Sequence, residues 1–199
     1  MSFRLGLTGS IGMGKSTTAA MFAEEGIPAW DADACVHRLY EPGQPAALAV
    51  AGLFPMAIDA DGRVNRAKLR VLIQADATVL DRLNAAVHPL VSGDRARFLA
   101  ENAGAPIVLL DIPLLYETGL EGLCDAVAVV SVSAAMQEKR VLDRGMSEAD
   151  FRMILARQMP DAEKQARADY VIPTDSLASA RAAVKDVLAD IRRRIAKNA

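Results

Sequence analysis

Apolar residues follow two rhythms along this chain. Short runs apolar at nearly every position occur at Phe3-Arg4-Leu5-Gly6-Leu7, Ile27-Pro28-Ala29-Trp30, Pro106-Ile107-Val108-Leu109-Leu110, residues 126–132 and Asp169-Tyr170-Val171-Ile172-Pro173. A parallel strand covered on both faces requires that pattern, so five such strands are predicted. Between them run helical patterns with polar faces. Residues 16–25 form one, closed by Gly26; 137–144 form another, closed by Gly145; a third runs from a Ser147 cap to 157, and 176–197 form the last. From about 34 to 103 the helical pattern is broken at Pro42-Gly43, Pro45, Phe54-Pro55, Asp61-Gly62 and Pro89. Strands alternating with helices predict an α/β fold, and the long excursion between the second and third strands is read as a substrate lobe.

The segment Thr8-Gly9-Ser10-Ile11-Gly12-Met13-Gly14-Lys15-Ser16-Thr17 joins the first strand to the first helix. Gly9, Gly14, Lys15 and Ser16 match G-x-x-x-x-G-K-[ST], the phosphate-binding loop. Backbone N–H groups must wrap a polyphosphate closely, and glycine removes the side chains that would hold the backbone away. The helix that follows turns its unpaired N–H groups and positive dipole end to the same anion. Lys15 reaches the β- and γ-phosphates, and the Ser16 hydroxyl suits Mg²⁺. Gly12, between the two required glycines, does not alter the match. The loop implies binding of a nucleoside triphosphate.

Composition narrows the partners. The 199 residues favour one domain, and 52% hydrophobic content with a mean hydropathy of +0.16 describes a globular chain. No apolar run approaches the ~20 residues of a membrane span, and the first residues lack a signal-peptide pattern, so a cytoplasmic location is expected. Cys35 and Cys124 form no C-x-x-C pattern, which suits reduced thiols. A net charge of −2 and a pI near 5.7 argue against broad binding to nucleic acid or an anionic membrane, so phosphate recognition must be local. Arg192-Arg193-Arg194 reads as a solvated helix end.

Several acids and bases stand where such chemistry uses them. Asp31 and Asp33 follow the second strand, and ligands of parallel α/β sheets gather at the carboxyl ends of strands. A carboxylate there can orient a hydroxyl nucleophile or hold a metal-bound water. Asp111 closes the third strand, where phosphate-loop proteins hold hydrated Mg²⁺. Arg140 and Arg144, four residues apart, share a helix face on which both can grip triphosphate oxygens. The hairpin they begin suits a closing lid that keeps water from the γ-phosphoryl group. Asp59-Ala60-Asp61-Gly62 resembles a switch motif but lies among turn formers, and no N-K-x-D follows, so it is read as a turn. Arg63 and Arg66 beside it are solvated or meet an anionic substrate. His88-Pro89 on an apolar helix reads as a packed histidine with a bend.

Together the loop, Asp31-Ala32-Asp33, Leu83-Asn84 with His88-Pro89, Asp111-Ile112-Pro113-Leu114-Leu115-Tyr116-Glu117, Arg140, Arg144 and Ala168-Asp169-Tyr170-Val171-Ile172 resemble the dephospho-coenzyme A kinase family over essentially the full length. The resemblance implies a three-layer P-loop kinase fold with a five-stranded parallel sheet. Its core would span about 1–33, 104–136 and 169–199, its acceptor lobe about 34–103 and its lid about 137–168, all in one domain. It implies transfer of the ATP γ-phosphoryl group to the ribose 3′-hydroxyl of dephospho-CoA. Asp33 would orient the hydroxyl, and Lys15, Arg140 and Arg144 would stabilise the transferring group. Gly12, Met13, Gly14, Lys15, Ser16 and Thr17 would hold ATP; Ser16, with Asp31 or Asp111 through water, would serve Mg²⁺; and Asp33, His88, Leu114 and Glu117 would meet the acceptor. Pro55 and Thr174 depart from the glycine and asparagine usual at those places. Without the resemblance, the residues imply a small-molecule kinase of nucleoside-monophosphate-kinase type with an open choice of acceptor, and a GTP-dependent switch is the rival from another class.

Overall fold

The computed structural model describes residues 2–197, which divide into two compact units: 2–30 with 102–197, and 31–101. Five strands, β1 (Phe3–Thr8), β2 (Ala29–Asp31), β3 (Ile107–Asp111), β4 (Ala126–Ser131) and β5 (Tyr170–Pro173), form one sheet in the order β2-β3-β1-β4-β5, all in the first unit but Asp31 at the end of β2. β1 runs parallel to both β3 and β4, and β4 runs parallel to β5, with Leu5 opposite Leu109 on one side and Ala126 on the other. The chain-order neighbours β1 and β2 are not adjacent. A parallel sheet needs crossovers, and helices supply them.

Period-two alternation decides which side chains meet which layer. Leu5, Leu7, Ile107, Leu109, Ala126, Ala128 and Val130 join a buried cluster with Met21 and Phe22 of α1 (Lys15–Glu24) and Val184, Leu188 and Ile191 of α9 (Leu177–Lys197). The intervening Val108, Leu110, Val127 and Val129 are equally buried but lie outside that cluster. Truncating one of these leucines to alanine costs about 2–5 kcal/mol. The same unit carries α6 (Ala134–Leu142), α7 (Glu148–Leu155) and α8 (Asp161–Arg167). α8 is a helix the sequence pattern did not separate from the hairpin before it.

The second unit is helical: α2 (Ala32–Leu39), α3 (Pro45–Leu53), α4 (Arg66–Ala75) and α5 (Thr78–Glu101). The first three pack on α5, whose Val79, Leu83 and Val87 are buried. α5 continues through Pro89 instead of breaking there. Proline removes the bond to the carbonyl four residues back, and both Ala85 and Pro89 are exposed, so solvent can take that carbonyl. Asp59-Ala60-Asp61-Gly62 is a turn between the bridged residues Ile58 and Val64. Among the described residues no helix is long and apolar enough to cross a membrane.

Candidate active site

Residues 9–14 turn out of β1 at its carboxyl end. A Cβ on Gly9 would stand 2.3 Å from Val130 Cγ2, so the chain passes β4 only with hydrogen there. Gly12 has a left-handed φ of 78°, and a Cβ would stand 2.6 Å from Val141 Cγ2 of α6. This glycine, incidental to the motif, is therefore required by the loop. No side chain caps α1, whereas Asp31, Asn65, Ser133 and Ser147 cap α2, α4, α6 and α7. The first-turn N–H groups of α1 are left for an anion, which the helix dipole also favours.

Lys15 Nζ lies 2.5 Å from Oδ1 of Asp111, which closes β3 and is 3% exposed. Register explains the meeting, since Leu7 of β1 pairs with Asp111 and both strands end at one edge of the sheet. A charge pair this sheltered holds the lysine near the loop, and a polyphosphate offers the same ammonium a second anion. Ser16 and Thr17 are exposed at the start of α1. Among the described residues no group of three or more His, Cys, Asp and Glu could hold a metal ion. The oxygens of Ser16 and Asp111 instead fit a hard cation that keeps most of its water and takes phosphate oxygens, as Mg²⁺ does.

Distant side chains set the outer loop. Ile11 donates its N–H to Gln158 Oε1 at 3.1 Å and accepts from Gln137 Nε2 at 2.7 Å. The Met13 carbonyl accepts from the Thr174 hydroxyl at 2.7 Å. Thr174 also holds Arg140, whose Nη1 donates to Oγ1 at 3.2 Å and whose Nη2 donates to the carbonyl. Arg140, Arg144, Gly14, Thr17, Thr174 and Leu177 line a cavity of about 200 Å³. Arg144 lies beyond the end of α6, so a shared helix face does not join the two arginines; the turn after the helix brings Arg144 to the same cavity.

Leu114, in the loop after β3, is 40% exposed. Glu117 is committed inside the unit: its Oε1 accepts from the Met159 N–H at 2.9 Å and lies 2.8 Å from Nζ of the fully buried Lys164. That pair is close enough for an ion pair, but its alignment falls short of a hydrogen bond. Burial pushes the Glu117 carboxyl up, and the Lys164 ammonium and the Met159 amide outweigh it, leaving it below its usual range. Gln137, Gln158 and Lys164 gave no signal in the sequence, because each acts through a partner far along the chain.

The remaining candidates belong to the helical unit. Asp31 Oδ1 accepts from the Ala34 N–H at 3.0 Å and so caps α2. Asp33, in the first turn of α2, is exposed and lines a cavity of about 540 Å³. His88 is exposed on α5, not packed, because Leu83 and Val87 supply the buried face.

Comparison with known proteins agrees with this geometry. Residues 3–179 match the family model described as dephospho-CoA kinase. A dephospho-CoA kinase of Cereibacter sphaeroides is 60% identical over 191 residues, covering 96% of each chain. One from Jannaschia sp. is 55% identical over 181 residues, 91% of this chain and 93% of that one. The crystal structure of TT1252 from Thermus thermophilus superposes with a TM-score of 0.77 at 34% identity, covering 95% of this chain and 97% of that one. A match that spans the glycine loop, the helical unit and the arginine-bearing hairpin places this chain in the dephospho-CoA kinase family.

Proposed function

We propose that this protein transfers the γ-phosphoryl group of ATP to the ribose 3′-hydroxyl of dephospho-CoA, giving CoA and ADP in the last step of CoA biosynthesis. The observation that carries the reading is the family match over residues 3–179, which includes the loop whose Lys15 is seated on Asp111. Gly12, Met13, Gly14, Lys15, Ser16 and Thr17 bind the triphosphate through backbone N–H groups and the Lys15 ammonium. The acceptor oxygen forms a bond to the γ-phosphorus as the bond to the β–γ bridging oxygen breaks, and ADP departs. Asp33 orients the hydroxyl and receives its proton. Arg140 and Arg144 take up the charge gathering on the transferring group, Arg140 already held by Thr174.

Ser16, with Asp111 or Asp31 through water, would hold Mg²⁺. When bound, that ion would neutralise part of the charge on the phosphates as the group is transferred. The hairpin of α6 and α7 serves as the lid that excludes water. Leu114 and His88 are assigned to the acceptor, and Glu117 acts on it by fixing the loop that carries Leu114. Both substrates are small molecules, and the setting is the cytoplasm.

An ADP-release assay with dephospho-CoA, AMP, shikimate and gluconate tests the reading. Turnover with dephospho-CoA at least 100-fold above the other three is expected. Preference for AMP would favour a nucleoside-monophosphate kinase, and GTP-selective binding without acceptor phosphorylation would favour a switch.

A further inference from the structure

Two cavities in the helical unit share walls. One, of about 540 Å³, is lined by Asp33, Ala34, His37, Arg38 and Arg66. The other, of about 180 Å³, is lined by His37, Tyr40, Glu41, Arg63, Val64 and Arg66. Three guanidinium groups reach these walls, and their pairing separates them. Arg38 is bound to Asp94 at 3.1 Å. Arg63 is bound to Glu41 and lies 3.7 Å from Asp61. Among the described residues no carboxylate pairs with Arg66, which rests instead over the buried Tyr40 ring, 5.8 Å from its centroid.

A ring platform fixes the position of a guanidinium without consuming its charge or most of its five donors. Arg66 is thus the cation common to both cavities that remains available to an anion. Phosphate oxygens match its planar fork, which can donate two parallel hydrogen bonds. The larger cavity also contains Asp33, whose own charge would repel a phosphorylated ligand unless a cation stood nearby.

We infer that Arg66 receives the diphosphate of the acceptor, so that the site selects a nucleotide carrying phosphate groups on the same molecule as the hydroxyl presented to Asp33. The inference rests on the function proposed above, which supplies the acceptor and the role of Asp33. Arg66 is a specificity-determining contact in it, and the tyrosine beneath is its support.

Equilibrium titration with dephospho-CoA and, separately, with ATP tests the assignment in the wild type and in Arg66→Ala, Arg66→Lys and Arg63→Ala. Loss of a charge-assisted bidentate contact should raise the Kd for dephospho-CoA about 10- to 100-fold in Arg66→Ala. Lysine, a point charge without the fork, should restore only part of it. The Kd for ATP and the thermal midpoint should stay at wild-type values, and Arg63→Ala, whose charge Glu41 already neutralises, should change the acceptor Kd less than about threefold. An unchanged acceptor Kd in Arg66→Ala, an equal loss for ATP, or an equal loss in Arg63→Ala would overturn the inference. Failure of the wild type to bind dephospho-CoA would strike the proposed function itself, which separates the two failures.

Discussion

Thr174 performs three tasks with one hydroxyl and one carbonyl. The hydroxyl donates to Met13 and accepts from Arg140, and the carbonyl accepts the second Arg140 nitrogen. Thr174→Val keeps the shape and removes the hydroxyl, leaving the Met13 carbonyl short of a donor at a cost of about 1–3 kcal/mol. Arg140 also loses one of its two holds, and kcat should fall about tenfold, in line with losing part of a positioned electrostatic contact. Thermal unfolding and steady-state kinetics check the two effects. Asp33→Asn should leave ATP affinity near the wild-type value and lower turnover ~100-fold or more, while Lys15→Ala should damage both; near-normal turnover in the asparagine variant would remove Asp33 from its role. The loop residues were legible because their spacing is local, and Asp111 was legible at the end of an unbroken apolar run. Thr174 was visible only as a departure from a family pattern, because its partners stand 34 and 161 positions away. Gly12 was assigned to ATP, but the need for glycine itself at that position was hidden for the same reason, since α6 sets the need for hydrogen there.

At the scale of elements, α8 is the fixed foot of the α6–α7 hairpin. Asp161 at its start accepts from Ser131 of β4 at 2.6 Å, Lys164 meets Glu117, and Arg167 pairs with Glu121 while lying 4.5 Å from the Tyr116 ring centroid. The residues just before α8 reach the phosphate loop through Gln158 and the post-β3 loop through the Met159 N–H. Breaking the buried pair leaves a charge without compensation, so Glu117→Gln should destabilise by about 3–5 kcal/mol, and adding Lys164→Met should recover much of the loss. The pH dependence has a definite sign. Because the Glu117 carboxyl sits below its usual range when folded, its contribution is present above the unfolded value of about 4.3 and fades as pH falls through the folded one. The stability gap between wild type and Glu117→Gln should therefore narrow below about pH 4; a constant gap across that range contradicts the pairing. α8 itself was not legible as a separate helix, since seven residues give too few turns for a pattern. α5 was broken too early at Pro89, because an exposed proline ends a helix less firmly than the sequence rule supposes.

For the whole molecule, a net charge of −2 hides local concentrations of cations, and those are what a phosphorylated substrate meets. Lys15, Arg140 and Arg144 belong to the sheet-based unit and are the groups proposed for the nucleotide; Arg66 and Asp33 belong to the helical unit and are the groups proposed for the acceptor. The α/β class was legible because β1, β3 and β4 are largely buried apolar runs, and the more exposed β2 and β5 are still mostly apolar in sequence. Arg63 and Arg66 stood out in the sequence as a pair, but the choice between them was not legible, because it depends on which guanidinium a carboxylate already occupies. The central claim concerns where the phosphoryl group goes. Phosphorus-31 NMR of the product formed from ATP and dephospho-CoA measures that directly. The account predicts a new phosphomonoester coupled to the ribose 3′ proton, one for each ADP released. ADP formed independently of dephospho-CoA, or phosphate appearing at any other oxygen, would contradict it.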